Sequence, residues 1–517
     1  MKAVVTAVCL LVVACSSQRK PGERRVAVIA VGNDPGHFNP GITTAAHVHA
    51  VADSLFNGLV ALDEERNPLP DLATRWEIKD EARTYVFHLA SGVRWHDGAP
   101  FGSKDVAFTF EHVLLRFHSR TRAGLAGNLE SIDTPDDRTV IFRFAEPYAP
   151  LLQRLDVTEA PILPAHRYAD GDVERHPANL APVGTGPFRF SSHQPDDRIV
   201  LVRNDDYFKP GLPRLDELVF RIIPDESTQL LALRNGEVDY VGSVRPSDVK
   251  RLRASLGGFT VVGAASGPGG SNCVMTWIFN LERRPLDDVR VRHAFAHAID
   301  RGQIVERVLF GEGDVPSAPI ARGIPWAQAE GMLQRYDLDP ARAEGLFREA
   351  GWHERSIDIV LFPTFIKYGE ILQQQLAEVG VTLEIRALDR AAAVETVYTD
   401  RDFDTALVSY CQGVDPDIGV RRLYDSSSIG PVPFSNAAAY RNAEVDALFE
   451  RAAKRQDRAE RGALYHRVQE IVSEDLPYWW LVETRNLTAY RSAFRDFAPW
   501  SGQFAERARS ATVSSDP

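Results

Sequence analysis

The pattern that most restricts this chain lies between residues 357 and 410. IDIVLF (357–362) is an apolar run of strand length, and VTLEIRAL (381–388) and the segment 405–410 are two more. Between the first two, Ile371, Leu372, Gln375, Leu376 and Val379 follow one helical face that stops at Gly380, a residue suited to the left-handed position after a helix end. Residues 391–398 supply a second, shorter helix. Strand–helix–strand–helix–strand predicts parallel strands joined by right-handed crossovers in an open α/β sheet. Ligands of such sheets settle beyond the carboxyl ends of the strands, at topological switch points. The third strand runs into ALVSYCQGVDPDIG (406–419), which closes with Tyr410, Cys411, Gln412 and the acidic tip Asp415-Pro416-Asp417. Asp and Pro are ordinary turn residues; the position at a strand's carboxyl end is what favours a ligand wall.

The N-terminus bears on location. MKAVVTAVCLLVVACSS carries one charge, Lys2, then an apolar run to Ala14 and then Cys15. The run is shorter than the ~20 residues of a membrane-spanning helix and reads as a secretory signal. Val12-Val13-Ala14-Cys15 resembles the lipobox of bacterial lipoproteins. That resemblance implies cleavage before Cys15 and a lipid anchor on it, with the polar residues 16–25 as a tether. No later segment is long and apolar enough to span a bilayer. A chain of 517 residues, 44% hydrophobic and 25% charged, is ordinary for a globular protein of roughly three domains. Its net charge of -12 argues against nucleic acid, which demands a basic surface. Cys9 leaves with the signal and Cys15 takes lipid, so Cys273 and Cys411 remain outside the cytoplasm, where a disulfide is possible.

Other stretches give local structure. VAVIAV (26–31) reads as a strand buried on both faces. A helix after Thr43 or Thr44, either of which serves as its cap, places Val48, Val51, Ala52, Leu55, Phe56 and Leu59 on one face. TYVFHL (84–89), TVIFRF (139–144) and RIVLVRN (198–204) read as strands, and KDVAFTFEHVL (104–114) as a helix. Val183-Gly184-Thr185-Gly186-Pro187 is a structural turn, since no helix start follows to make it a phosphate loop. Asp339-Pro340 opens a helix that Gly351 ends, and Asp287 or Asp288 opens another. On the latter, His293 and His297 share a face at i,i+4 spacing, but no glutamate lies between them in the zinc-protease arrangement, and they read as surface residues. There is no nucleophile elbow or metal motif, and carboxylates are plentiful with nothing to single out an acid/base pair, so no catalysis, cofactor or metal is expected.

Several blocks together carry a family resemblance. PDLATRWEIKDEARTYVFHLASGVRWHDGAPFGSKDVAFTFEHV, PVGTGPFRF, IIPDESTQLLALRNGEVDY, NLERRPLDDVRVRHAFAHAIDRGQIVERVLFGEG, YDLDPARAEGLFREAGW and the long segment ending LPYWWL recur in this order. The chain resembles the family 5 extracellular solute-binding proteins, the peptide-binding components of ABC importers, from about residue 26 to 497. The resemblance implies a two-lobed, periplasmic-binding-protein-like α/β fold of the large type II cluster, with an extra inserted α+β domain. Lobe I is expected from 24–58, 179–265 and 487–517, the inserted domain from 59–178 and lobe II from 266–486. It implies further a monomer outside the cytoplasmic membrane that encloses a peptide-like or other small polar solute between its lobes and hands it to a permease and its ATPase. Opines, sugars and metal chelates are also carried by relatives, and a sensor for a signalling partner would look the same in sequence.

By position, the expected ligand-binding residues are Thr44, His47, Trp277, Asn280, Tyr410, Cys411, Gln412, Asp415 and Asp417. In peptide-binding relatives an aspartate shortly before the Asp-Pro pair neutralises the peptide's amine. Gln412 stands there in this chain, and a neutral amide cannot neutralise an ammonium. Asp415 or Asp417 is the substitute at hand, and Arg421 and Arg422 are candidates for an anionic group. Trp479 and Trp480 are core or wall, and Trp95-His96-Asp97-Gly98 shapes the inserted domain.

Overall fold

The computed structural model describes residues 25–63, 66–168, 171–254, 258–263, 273–329, 331, 333–353, 355–495 and 511–513. Cys9, Cys15 and residues 16–24 of the tether, on which the secretion and lipidation readings rest, lie outside the described residues. Among those described, no helix is long and apolar enough to cross a membrane.

Three large sheets organise the molecule. The first has, in spatial order, Phe259–Gly263, Leu487–Arg491, Tyr240–Val241, Val26–Val31, Glu217–Ile222, Arg198–Arg203 and Phe188–Gln194. Val26–Val31 sits in its middle, parallel to both neighbours, which is why the segment reads as an unbroken apolar run. The second sheet runs Gly313–Asp314, Tyr478–Thr484, Cys273–Phe279, Thr405–Cys411, Ser356–Leu361 and Thr382–Ala387. The third is an antiparallel sheet of Ala73–Lys79, Thr84–Leu89, Thr139–Phe144 and Leu129–Asp136, backed by the helix Ser103–Phe108. Each sheet buries its own apolar cluster, so the chain holds separate cores rather than one.

The second sheet contains the predicted crossovers. Ser356–Leu361 pairs in parallel with Thr382–Ala387 on one side and Thr405–Cys411 on the other. The connection leaves the central strand in one direction, through the helix Ile366–Glu378, and returns on the other side. Opposed directions open a crevice at the carboxyl ends of Ser356–Leu361 and Thr405–Cys411. Beyond Thr405–Cys411 the sheet turns antiparallel, with Cys273–Phe279 and Tyr478–Thr484. Asp339 and Asp288 cap their helices by accepting from Arg342 N at 2.9 Å and Arg290 N at 2.9 Å, and Gly351 and Gly380 take positive φ.

One predicted helix is much shorter than its pattern. It covers Ala46–Ala52, and Leu55, Phe56 and Leu59 are buried after it has ended. The backbone of this stretch is committed elsewhere: Phe188 N donates to Ser54 O, Gly186 N to Leu55 O, Ile162 N to Asn57 O and Val60 N to Leu155 O. Gly58 also passes the 155–157 backbone so closely that a Cβ there would lie 2.4 Å from Leu155 O. The N-cap is Ala45, not Thr43 or Thr44; Thr43 Oγ1 accepts from Ala45 N instead.

Candidate functional site between the two lobes

The strand Thr405–Cys411 delivers one wall. Cys411 stands opposite Cys273 in the antiparallel register, and the two form a disulfide. Gln412 follows, 2% exposed, with both ends of its amide spent: Oε1 accepts from Ala321 N at 2.7 Å and Nε2 donates to Pro319 O at 2.6 Å. Gly413 takes φ +67° to turn the chain, and Asp415 caps the short helix Pro416–Gly419 through Asp417 N. Gly419 completes the turn, because a Cβ there would lie 2.3 Å from the Gln412 backbone.

The acidic tip is electrostatically closed. Asp415, 1% exposed, receives two bonds of 2.8 Å from Arg461, which also donates to Tyr465 OH and Ala452 O. Burial opposes the Arg461 charge, and Asp415 more than offsets it, holding the guanidinium above its ordinary value. Asp417 pairs with Arg421 at 3.2 Å, and the same arginine reaches Asp425 at 2.7 Å. Arg422 differs. It is half-buried, and among the described residues it donates only to the carbonyls of Gly419 (3.3 Å) and Cys411 (3.4 Å) and has no carboxylate within ion-pair distance. Burial holds it below the ordinary arginine value.

A second group of charges comes from residues 118–159 and faces this wall. Arg422 is near enough to Arg120 and Glu159 to feel both charges, and Asp417 acts on Arg154. Arg154 is 4% exposed; its Nε donates to Tyr148 OH at 2.6 Å and its Nη1 to Arg120 O at 3.3 Å. Gly124 makes room for it, since a Cβ there would lie 2.4 Å from Arg154 Cζ. Glu159 contacts Arg120 at 3.1 Å through Oε1, while its Oε2 is buried without a hydrogen bond. Burial works against the Glu159 charge, but Arg120, His118, Arg154 and His49 together hold it below the ordinary glutamate value.

Two histidines complete this wall. His118 is fully buried, with Nδ1 2.7 Å from Thr121 Oγ1 and accepting from Thr121 N at 3.4 Å, while Nε2 has no hydrogen-bond partner among the described residues. His49 is bonded to Asp53 Oδ1 at 2.9 Å and Thr43 O at 3.1 Å, both acceptors. Burial pulls its pKa down, and Asp53 raises it by more. Further contacts join the two sides: Gln456 Nε2 donates to Tyr85 OH at 3.2 Å and Arg458 Nη1 to Asn67 Oδ1 at 2.6 Å.

The remaining expected residues scatter. Trp277 is fully buried in the core of the second sheet, against Phe279 and Phe295, and not at the crevice. Phe279 pairs with Thr405 while Cys273 pairs with Cys411. That register carries Asn280 to the opposite end of the sheet, about 20 Å from the strand end at ~3.3 Å per residue. Asn280 there holds Phe403 O at 2.9 Å. Tyr410 is 1% exposed and shares a 2.8 Å hydroxyl contact with Tyr398. Thr44 is half-buried and His47 exposed on a helix of only seven residues. Trp479 and Trp480 are both core. His293 and His297 are not free surface groups: they reach Glu474 O at 2.7 Å and Asp337 O at 2.8 Å.

Trp95-His96-Asp97-Gly98 is a clamp on the glycine turn. His96 Nδ1 accepts from Gly184 N at 3.1 Å and Nε2 donates to Gly186 O at 3.0 Å. Among the described residues there is no group of three or more His, Cys, Asp or Glu able to hold a metal. Sequence reasoning missed His118, Arg120, Arg154 and Glu159. They form no motif, and only the folded chain gathers them around Glu159.

A two-lobed α/β molecule with buried, unspent polar groups where its walls face each other has the form of a binding protein. Residues 67–431 match the bacterial extracellular solute-binding proteins, family 5 (middle region), and the chain belongs to that family. It is 31% identical over 470 residues to a Brucella ovis protein named for peptide binding by an ABC transporter, covering 87% of this chain and 85% of the relative. It is 28% identical over 504 residues to di/tripeptide-binding protein 1 of Pseudomonas aeruginosa, 90% of each chain. The periplasmic binding protein DppA of Helicobacter pylori, solved in complex with the peptide STSA, superposes with a TM-score of 0.79 at 25% identity, over 95% of this chain and 99% of that one.

Proposed function

We propose that this chain is the solute-binding component of an ABC importer and that its solute is a short peptide or peptide-like molecule. The observation that carries the site is the pair of buried polar atoms without hydrogen bonds, His118 Nε2 and Glu159 Oε2, in the charged group whose Glu159 acts on Arg422. Unsatisfied buried groups cost free energy in the empty protein, and a polar solute enclosed there supplies the missing bonds in a small, water-excluded space. The relatives' names support the peptide class.

The rest of the reading follows from that role. Residues 24–58, 179–265 and 487–517 form lobe I, 59–178 the inserted domain and 266–486 lobe II. Closure of the lobes presents the solute to a permease and its ATPase. The chain works outside the cytoplasmic membrane as a monomer, anchored through lipid on Cys15, and performs no chemistry on its cargo. Of the residues expected to touch the solute, Cys411 and Asp417 border the cleft. Tyr410, Gln412 and Asp415 hold the wall in shape.

Thermal-shift screening of the soluble protein from residue 16 onward against dipeptides, oligopeptides, sugars and chelates tests the reading. Stabilisation by peptides, with the peptide recovered intact, is the expected result. Stabilisation by sugars or chelates alone would remove the peptide class, and cleavage of the bound peptide would remove the binding-protein role.

A further inference from the structure

Arg485-Asn486 joins the strand Tyr478–Thr484 of the second sheet to Leu487–Arg491 of the first. The arginine is gripped from one side. Its Nε and Nη2 each donate to Asp314 at 3.2 Å, and its Nη1 donates to Glu312 Oε2 at 3.5 Å. Both acids come from the edge of the second sheet, where Gly313 pairs with Thr484 and Asp314 with Glu483. Gly313 permits no side chain at that edge, since a Cβ there would lie 2.3 Å from Leu309 Cδ1.

The other oxygen of Glu312 crosses to the first sheet. Glu312 is 8% exposed, and its Oε1 accepts from Arg253 Nη1 at 2.7 Å. Arg253 belongs to the helix Pro246–Ala254, whose Val249 and Leu252 share an apolar cluster with Leu487 and Ala489 of the first sheet. Leu309, three residues before Glu312, belongs to the core of the second sheet. The two cores are separate, so at this point the halves meet through charge. A polar contact beside a short connection leaves the halves free to move relative to one another. The pair also opens without stranding a charge. Arg253, its side chain half exposed, regains water, and Glu312 keeps Arg485 when Arg253 leaves.

Glu312 stands at the crevice end of its sheet. Cys411 pairs with Cys273, Val274 with Glu483 and Thr484 with Gly313, so the strand end that carries the binding wall and the residue before Gly313 lie at one end. A bond from Arg253 to Glu312 therefore draws the first sheet toward the crevice.

We propose that Glu312 is a latch: its bond to Arg253 holds the two sheets in the arrangement that encloses the solute, and so sets solute affinity without touching the solute. The affinity of a protein whose closed form is only partly populated falls by that fraction, so weakening the latch weakens binding. This inference rests on the reading of the crevice as a peptide site.

The test titrates a mixed-sequence dipeptide pool calorimetrically into the soluble protein at low salt and at about 1 M salt, where the Debye length is about 3 Å. Arg253→Gln should weaken binding about fivefold at low salt, the range of a half-exposed pair, and the gap to the wild type should close at high salt. Glu312→Gln should act in the same direction, and Arg253→Lys should recover part of the loss. Should Glu312→Gln fail to fold, Arg253→Gln at its half-exposed position still decides. Arg467→Gln, which removes an exposed pair with Glu444 inside the second half, should leave affinity unchanged. Wild-type affinity in Arg253→Gln, or a loss of the same size at both salts, makes the pair a structural contact and overturns the latch, leaving the peptide reading standing. If the pool binds no form of the protein, the peptide reading fails, and X-ray scattering of the solute-free protein decides the latch. A larger radius of gyration for Arg253→Gln than for the wild type then supports it, and an identical radius overturns it.

Discussion

On the strand-end wall, Asp415 and Asp417 are each bound to their own arginine, and Gln412 spends its amide on two backbone groups. On the facing wall, Glu159 and His118 each keep a buried polar atom without a hydrogen bond, and Arg120 turns its Nε to Glu159 in an ion pair. The residue types are similar and the bookkeeping is opposite. A saturated wall has its interactions in the folded state already, so damage to it is read as lost stability. An unsaturated wall holds interactions in reserve, and damage to it is read in binding and in the response to protons.

The largest effect belongs to the saturated side. Arg461→Gln strands the buried Asp415 carboxylate, and breaking such a pair from one side costs about 3–5 kcal/mol. Urea denaturation of the variant should show a loss of that order. A loss below about 1 kcal/mol, the range of an exposed pair, would mean that Asp415 is not sealed and would return it to the list of solute contacts.

Next comes the pH response of the facing wall. Burial holds His118 down at about 4, with Glu159 pulling the other way and Arg120, His49 and Arg154 adding to the depression. The unfolded chain, with an ordinary value near 6.5, therefore takes up the proton first. The stability associated with neutral His118 is fully present above about pH 6.5 and is lost as pH falls toward 4. The depression corresponds to at most about 3 kcal/mol. His96, also held at about 4 by burial, adds a fall in the same window through its clamp on Gly184 and Gly186. Denaturation midpoints measured across that window should drop for the wild type and drop less for His118→Gln. Parallel profiles would place His118 in contact with water.

A smaller change separates the two walls at Gln412. Gln412→Asp shortens the side chain, removes the donor to Pro319 O and sets a carboxylate among buried groups. Leaving such groups unsatisfied costs about 1–3 kcal/mol. The variant should lose stability without gaining affinity for free-amine dipeptides. A gain in that affinity with stability intact would show that position 412 faces the solute after all.

These contrasts explain what could be seen in the sequence. The crossover segment was legible because helix and strand periodicities are local, and so were the caps at Asp288 and Asp339 and the turns at Gly351 and Gly380. The helix after Thr44 was overread because its apolar spacing continues past Ala52, while the Ser54–Val60 backbone bonds to segments distant in sequence, around residues 72, 155, 162 and 187. At the site, the acidic tip was visible as composition, but its partner Arg461 lies 46 positions along the chain. Asn280 was misplaced because strand direction is a property of the sheet: an antiparallel Cys273–Phe279 carries its far end away from the crevice. The facing wall left no local trace, since Arg120 and Glu159 act on Arg422 only in the folded chain.

The smallest expected effect tests whether the facing wall can be tuned without being broken. Gly124 sits in the helix Ser119–Leu125 directly under the Arg154 guanidinium. Alanine is favoured over glycine in a helix by up to about 1 kcal/mol, but its Cβ would lie 2.4 Å from Arg154 Cζ, so the guanidinium must move. The moving atoms are the far end of a flexible side chain, and the movement offsets part of the helical gain. Gly124→Ala should therefore change stability by less than about 1 kcal/mol, while affinity for dipeptides shifts several-fold where the displaced Arg154 reaches the solute. Calorimetry and urea denaturation on the same preparation separate the two readouts. Unchanged affinity with reduced stability would make Arg154 a packing residue.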